Sequence, residues 1–531
     1  MRPDDWLLTP GERGNPATRL DTRRADGHAW STGNDVRALV HGSAYFAALL
    51  AAVRDQQAGD LLFFTDWRGD PDELLDGPGS EIGAVLCDAA RRGVVVKGLI
   101  WRSHLDRLQF SEQENRHLGE EIEAAGGECL LDMRVRPGGA HHQKFVVLRH
   151  PGRPERDVAF VGGIDLCHSR RDDARHTGDP RALPMAAAYG PRPPWHDVQL
   201  ALRGPAVGDV EATFRERWQD PSPLSRSPLS RLRALVHHED TRADPLPPQP
   251  PDPEPRGTMT VQLLRTYPAR RHGYPFAPDG ERSVARGYRK ALARARSLIY
   301  LEDQYLWSAE VVAGFARALA DHPALRMIAV LPAHPDQDGR LAGPMNELGR
   351  VEALRVLRGA GGRRFAAYSV ENHAGTPVYV HAKVCVIDDV WASVGSDNVN
   401  RRSWTHDSEL GCAVLDETRD PREPRDPGGL GDGARAFARD LRIELGAEHL
   451  DHDAPDTLCD PLTAFDCFAE SARALEAWHR GGRRGPRPPG RLRPYTAPVL
   501  GRATTVAVRP LQRIVADPDG RPRSLRRRAD Y

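Results

Sequence analysis

The chain has 531 residues, 40% hydrophobic and 28% charged, an ordinary balance for a globular protein with room for more than one domain. Its 74 basic and 74 acidic residues cancel, which excludes a uniformly basic coat for nucleic acid. Seven cysteines (87, 129, 167, 385, 412, 459 and 467) are scattered, odd in number and without a C-x-x-C pair, which argues against a disulfide framework and a zinc module.

In chain order, the opening MRPDDWLLTPGERGNP has no apolar core of signal-peptide length. The longest apolar runs, such as YFAALLAAV at 45–53, fall short of the roughly 20 residues a spanning helix needs. A cytoplasmic protein is expected, one that touches a membrane from outside. DLLFFTDW (60–67) reads as a strand with an acidic residue near its end. A helical pattern follows, with Ser80 at the N-cap before Ile82, Val85, Leu86 and Ala89. GVVVKGLIW (93–101), ECLLDM (128–133), HHQKFVVL (141–148) and AFVGGID (159–165) read as further strands.

Seven prolines then occupy the eleven positions 245–255, a stiff extended linker. Beyond it the series recurs. LIYLEDQYLW (298–307) precedes Ser308 and a helical pattern at Val311, Val312, Phe315 and Leu319. LRMIAVLP (325–332), FAAYSV (365–370), YVHAKVCVIDD (379–389) and ASVGSDN (392–398) complete it. The offset from Asp66 to Asp303 is 237 and from His142 to His381 is 239. Strands alternating with helices predict an α/β fold with a largely parallel sheet in each half, the halves related by a pseudo-twofold axis. The expected divisions are an N-terminal extension (1–40), a first half (41–225), a Pro-rich linker (226–257), a second half (258–450) and a helical, Arg-rich C-terminal segment (451–531). In that last segment TTVAV (504–508) reads as a strand, and from Arg480 onward 14 arginines face three aspartates.

Only four of the basic residues are lysines: 97, 144, 290 and 383. With 21 histidines, His-x-Lys would occur by chance about 0.16 times, yet it occurs twice, at the same place in each repeat. Residues i and i+2 of an extended segment share a face, so His142 projects with Lys144 and His381 with Lys383. Two imidazoles and two ammonium groups around one pocket suit a phosphodiester. The lysines would bind its non-bridging oxygens; a neutral histidine would attack phosphorus while a protonated one, opposite, gives its proton to the leaving oxygen. A covalent phosphohistidine results, to be opened by water or an alcohol, and no metal or other cofactor is called for.

These residues resemble the phospholipase D superfamily, marked by a duplicated H-x-K-x4-D followed by G-S-x-N-x3-R-S. The second copy matches throughout: His381, Lys383, Asp388, Gly395, Ser396, Asn398, Arg402 and Ser403. The first copy departs from it. Arg149 stands in the aspartate's place, RHPGRPERD is inserted, and Gly162, Gly163 and Asp165 stand for Gly395, Ser396 and Asn398. The resemblance implies two α/β/α sandwich halves with the active site between them, and a generally structural role for the motif aspartate. It also implies a carboxylate partner for each histidine: Asp197 from WHDVQLAL and Glu409 from HDSELG, with Asp407 a neighbouring rival. His142 is carried over as nucleophile and His381 as acid, though the two copies are symmetric enough for the roles to be exchanged. Gly163, Asp165, Ser396 and Asn398 are the expected substrate-binding set.

By the same resemblance the chain reads as a soluble bacterial-type phospholipase D, a monomer with both halves in one chain. Its expected reaction converts a phosphatidylcholine-like lipid at a membrane surface into phosphatidic acid and free headgroup, with transphosphatidylation to alcohols alongside. The alternatives are a cardiolipin or phosphatidylserine synthase-like phosphatidyltransferase, a nuclease or other phosphodiesterase on nucleic acid, and a non-catalytic polyanion-binding scaffold.

Overall fold

A computed structural model describes residues 1–103, 112–237, 239–337, 342–452, 455–528 and 530–531. Before the Pro-rich segment the strands are β1 (Ser31–Val40), β2 (Leu61–Asp66), β3 (Val95–Trp101), β4 (Glu128–Asp132), β5 (Phe145–Arg149), β6 (Val158–Gly162), β7 (Trp195–His196) and β8 (Val198–Arg203). After it come β9 (Met259–Tyr267), β10 (Glu281–Arg282), β11 (Leu298–Glu302), β12 (Arg326–Val330), β13 (Phe365–Val370), β14 (Tyr379–Val380), β15 (Val384–Ile387), β16 (Trp391–Gly395), β17 (Glu409–Asp416) and β18 (Leu492–Pro494). All but β7 and β14 join one sheet, in the order β4-β3-β2-β5-β6-β8-β1-β9-β17-β16-β15-β11-β12-β13-β18, with β10 paired to β9. Taken inward from β4 and from β13, the sequence of strands is the same, which is what the internal repeat predicts.

The fold is mixed α/β, and the sheet is not largely parallel. Within the large sheet parallel pairing is confined to β2-β3-β4 and β11-β12-β13, where a helix returns the chain between strands, and outside it the short β7 and β14 also pair in parallel. The direct connections joining β5 to β6, through the inserted loop, and β15 to β16, through a tight turn, impose antiparallel pairing instead. Residues 31–40, assigned by sequence to an N-terminal extension, form β1, an interior strand. Its polar start, STGND, hides it from a search for apolar runs. β1 pairs with β8 on one side and, through an irregular register, with β9 on the other, so this is the seam between the repeats.

The central strands are buried on both faces, which explains their unbroken apolar runs. Leu61 and Phe63 of β2, with Leu298 and Tyr300 of β11, enter one core shared by both repeats. Their alternates, Leu62 and Phe64 on one side and Ile299 and Leu301 on the other, enter two outer cores. The helix Ala206–Trp218 belongs to the shared core and is buried along its whole length.

Two local expectations change. The helix Ile82–Arg91 starts one residue beyond the predicted cap, at Glu81, because the Ser80 hydroxyl donates to Gly77 O (2.6 Å) instead. TTVAV is not a strand but part of the helix Arg502–Leu511. It packs on the helix Ala342–Gly361, with Val508 buried and Arg509 donating to Glu352 (2.7 Å).

Arg149, the residue in place of the first motif aspartate, is fully buried at the end of β5. Its Nε donates to Asp157 (2.7 Å), and its guanidinium pairs with Glu211 of the helix Ala206–Trp218 and donates to the carbonyls of Pro250 and Pro251. One side chain thus fastens the inserted loop and the proline segment to the shared core. Arg149→Ala should cost about 3–5 kcal/mol in urea unfolding, because it leaves buried Asp157 without its arginine and Glu211 with Arg215 alone. Arg149→Asp, which restores the family motif, should cost more, since it adds a third carboxylate there.

Candidate active site

His142 and His381 precede β5 and β15 in extended backbone, each anchored by a main-chain bond to the other repeat. His142 N donates to Ser408 O (2.9 Å), and His381 N donates to His196 O (2.8 Å). The side chains cross in the same way. His142 Nδ1 lies 2.8 Å from Glu409 Oε2, and His381 Nδ1 lies 2.6 Å from Asp197 Oδ2. Asp197 and Glu409 hold equivalent places, for Gly163 N bonds the carbonyl after the first and Ser396 N the carbonyl after the second. Asp407, the rival, is otherwise engaged: it accepts from Ala140 N (2.9 Å) and Arg402 Nε (2.6 Å).

The carboxylates are fitted differently. Ser396 Oγ donates to Glu409 Oε2 (2.6 Å). At Gly163 a Cβ would stand 2.3 Å from Asp197 Oδ1, so this position has room only for hydrogen. The degenerate glycine of the first motif is therefore a seat for the aspartate.

Lys144 and Lys383 are buried beside their histidines. Lys144 Nζ donates to His142 O (3.0 Å) and lies 3.4 Å from Asp165 Oδ1. Lys383 Nζ donates to His381 O and to Gln304 Oε1 (3.3 Å), and sits 3.0 Å from His381 Nδ1. Since that nitrogen faces Asp197 at closer range, the consistent tautomer places Nδ1–H on the carboxylate and the Nε2 lone pair toward the cleft.

Both histidines line one cleft of about 520 Å³, together with Trp67, Asp165, Arg170, Trp195, Gln304 and Tyr379. A larger cavity of about 980 Å³ beneath residues 219–246 contains none of these groups. Burial holds both imidazoles well below their usual pKa, reinforced at His142 by Lys144 and Lys383 and at His381 by Lys383 and Arg170. Each histidine thus feels the other repeat's lysine, and both are neutral before an anion arrives. Burial brings Lys383 down to about 8. Burial also opposes ionisation of Asp165, but Lys144 and Arg170 outweigh it and draw that carboxyl down to about 2. Burial lifts Glu409 well above the usual carboxylate range, with Asp407 adding to the effect, and raises Asp197.

Of the residues singled out by sequence, His142, Lys144, Asp165, Asp197, His381, Lys383 and Glu409 converge with Gly163 and Ser396. Asp388 does not join them. At the far end of β15 its carboxylate accepts from the N–H groups of Arg296, Ser297 and Leu298 (2.7–2.9 Å), which fixes the entry to β11. Burial pushes it up to about 6. Asn398 is buried behind the glycine turn with Oδ1 unpartnered and is not part of the cleft wall. Sequence reading missed Arg170, whose guanidinium lies 4.0 Å over the Trp195 ring and 3.5 Å from Asp165. In so arginine-rich a chain, no spacing marks it.

The family model described as phospholipase D matches residues 72–314, and that described as cardiolipin synthase, PLD-like domain, matches residues 289–420. Phospholipase D alpha 1 of Oryza sativa subsp. japonica is 26% identical over 89% of the chain, which spans 72% of that protein. Phospholipase D alpha 1 proteins of Cynara cardunculus and Arabidopsis thaliana are each 25% identical over 74% and 79% of the chain, which spans 62% and 65% of their lengths. The crystal structure of phosphatidylserine synthase from Haemophilus influenzae superposes with a TM-score of 0.50 at 13% identity, covering 72% of this chain and 82% of that one.

Gly163→Ala tests the seat beneath Asp197. The added methyl must displace the carboxylate and with it His381, so kcat on a phosphodiester substrate should fall by about 10²-fold. Ser396→Ala, which adds no bulk, should leave the position of His381 unchanged, as read from its imidazole NMR shift.

Proposed function

The chain belongs to the phospholipase D superfamily, and on that premise we propose that it is a phospholipase D. It converts a phosphatidylcholine-like diester to phosphatidic acid and free headgroup, and passes the phosphatidyl group to an alcohol where one is present. The observation that carries this reading is the convergence of two His–Lys couples on one cleft, each imidazole oriented by a carboxylate from the opposite repeat.

In the first step His142 Nε2 attacks phosphorus, with Glu409 holding its Nδ1 side. Lys144 and Lys383 neutralise the non-bridging oxygens. The bound anion favours protonation of His381, whose Nδ1–H stays on Asp197 while its Nε2–H passes to the headgroup oxygen as the P–O bond breaks. In the second step neutral His381 takes a proton from water or an alcohol, whose oxygen attacks phosphorus and frees His142. Hydrolysis and transfer differ only in the second nucleophile.

Support for a lipid comes from the mouth of the cleft, where Trp67, Leu183, Met185 and Tyr305 are half-buried and Pro184 is exposed. Apolar side chains there suit the glycerol and acyl carbons next to the phosphate better than a second phosphate of a nucleic acid strand. Among the described residues no helix is long and apolar enough to cross a membrane, so substrate would be met at the bilayer surface.

Incubation with phosphatidylcholine and ethanol should yield phosphatidylethanol beside phosphatidic acid, and His142→Ala and His381→Ala should each lose at least roughly 10³-fold in rate. Cleavage of plasmid DNA without lipid turnover would replace this reading with a nuclease. A lack of turnover on any diester, with phosphate still bound, would replace it with a scaffold.

The pH profile is a further check. Lys383 is an ammonium below its value of about 8 and neutral above it, so kcat/KM should fall as pH rises through about 8. Lys383→Arg should move that limb upward. The imidazoles stay neutral below their ordinary 6.5, so the acid limb should lie under that value.

A further inference from the structure

Directly behind the Asp197–His381 pair lies a second group of histidines that the chemistry does not use. His41, His176 and His196 surround Glu448, all from distant parts of the chain, and their potential ligand atoms lie within 4.8 Å of one another. The three histidines are nine-tenths or more buried. His41 Nε2 is 2.7 Å from Glu448 Oε2, while His176 Nε2 and His196 Nδ1 are 3.0 and 3.6 Å from Oε1. None of the four lines the cleft.

The outward-facing nitrogens decide what the inward-facing ones can be. His176 Nδ1 meets the carbonyl of Trp195 (3.0 Å), which only accepts, so this nitrogen carries hydrogen. His196 Nε2 meets Glu302 Oε2 (2.6 Å) and carries hydrogen likewise. The neutral tautomers then aim the lone pairs of His176 Nε2 and His196 Nδ1 at Glu448, lone pair against carboxylate. His196 Nδ1 has no hydrogen-bond partner, although the residue is fully buried. Such a centre needs positive charge between its rings and Glu448, which either a proton on His196, set between Glu302 and Glu448, or a metal ion supplies.

We propose that His41, His176, His196 and Glu448 bind one divalent transition-metal ion, zinc by the ligand set. Ligand atoms of a tetrahedral zinc site stand about 3.3 Å apart; here each histidine nitrogen lies 2.7 to 3.6 Å from one or the other oxygen of Glu448, and the whole set lies within 4.8 Å. Two of the three outer partners also match, for metal-binding histidines hand their second N–H to a carbonyl or carboxylate, as His176 and His196 do to Trp195 and Glu302, while His41 Nδ1 has no such partner. Glu302 is itself held by His449 Nε2 (2.8 Å) and the Tyr300 hydroxyl (2.5 Å), and its charge balances the cation left after Glu448.

The ion takes no part in the phosphoryl chemistry. It fixes backbone: His196 O receives the N–H groups of His381 and Ala382, and His41 N donates to Asp197 O (2.9 Å). The ion thus stiffens one of the two crossings of the active site. The other has Ser408 in the position of His196 and no such cluster among the described residues.

The test is metal analysis of untagged protein purified without chelator, followed by Co²⁺ substitution and visible spectroscopy. About one equivalent of metal per chain is expected, with the intense absorption bands of tetrahedral Co²⁺. His41→Gln and His176→Gln should abolish both signals, and Glu302→Gln should weaken Zn²⁺ binding about 10–100-fold. His142→Ala and His381→Ala should leave metal content unchanged. Content is measured without substrate, so its outcome is independent of the proposed catalysis. Active protein that contains no metal and takes up neither Zn²⁺ nor Co²⁺ would overturn the site, as would full metal content in the His41→Gln/His176→Gln double variant.

Discussion

Two carboxylate–imidazole contacts that cross between the repeats are the constraint from which the rest of the architecture follows. Asp197 comes from β8's end of one repeat and grips the histidine of the other; Glu409 does the same in reverse. Both pairs are almost wholly withdrawn from water, where an acidic group without a partner is strongly disfavoured. The repeats must therefore dock to within a fraction of an ångström before either histidine is properly held. The continuous sheet supplies that precision. Its seam at β1 and β9 carries an irregular register, so alignment of the halves rests on main-chain exchanges at 142, 196, 381 and 408 as much as on the ladder.

Much of this was legible in the sequence because it was written in rare symbols. Lysine is scarce, so His142–Lys144 and His381–Lys383 stood out, and the doubly buried strands announced themselves as apolar runs. The sheet's mixed direction was harder to read, because pairing direction depends on how the chain returns between strands, which residue pattern alone does not encode. β1 was hidden by its polar first half. TTVAV has the β-branched composition of a strand but forms part of a helix that packs on the helix Ala342–Gly361. The buried histidine cluster had no signature at all: positions 41, 176, 196 and 448 share no spacing, and folding alone brings them together.

The uneven charge along the chain also finds its explanation in three dimensions. The arginine excess after residue 480 faces an acidic remainder, and the C-terminal segment folds back over it. Arg491 pairs with Asp451, Arg493 with Glu371 and Glu476, and Arg521 with Glu310. Asp517 meanwhile accepts from the N–H of Arg401 (2.8 Å), just ahead of the motif's Arg402 and Ser403. The terminal segment braces the second motif, and its charge is a property of that docking more than of a free tail.

The two carboxylate seats are alike in backbone and unlike in filling: a short acid over a glycine on one side, a long acid over a serine on the other. Neither residue of a seat can be exchanged without its companion. Glutamate above Gly163 would crowd the cleft, and aspartate above Ser396 would fall short of its imidazole. No single substitution therefore converts one seat into the other, and each repeat holds its histidine in its own way.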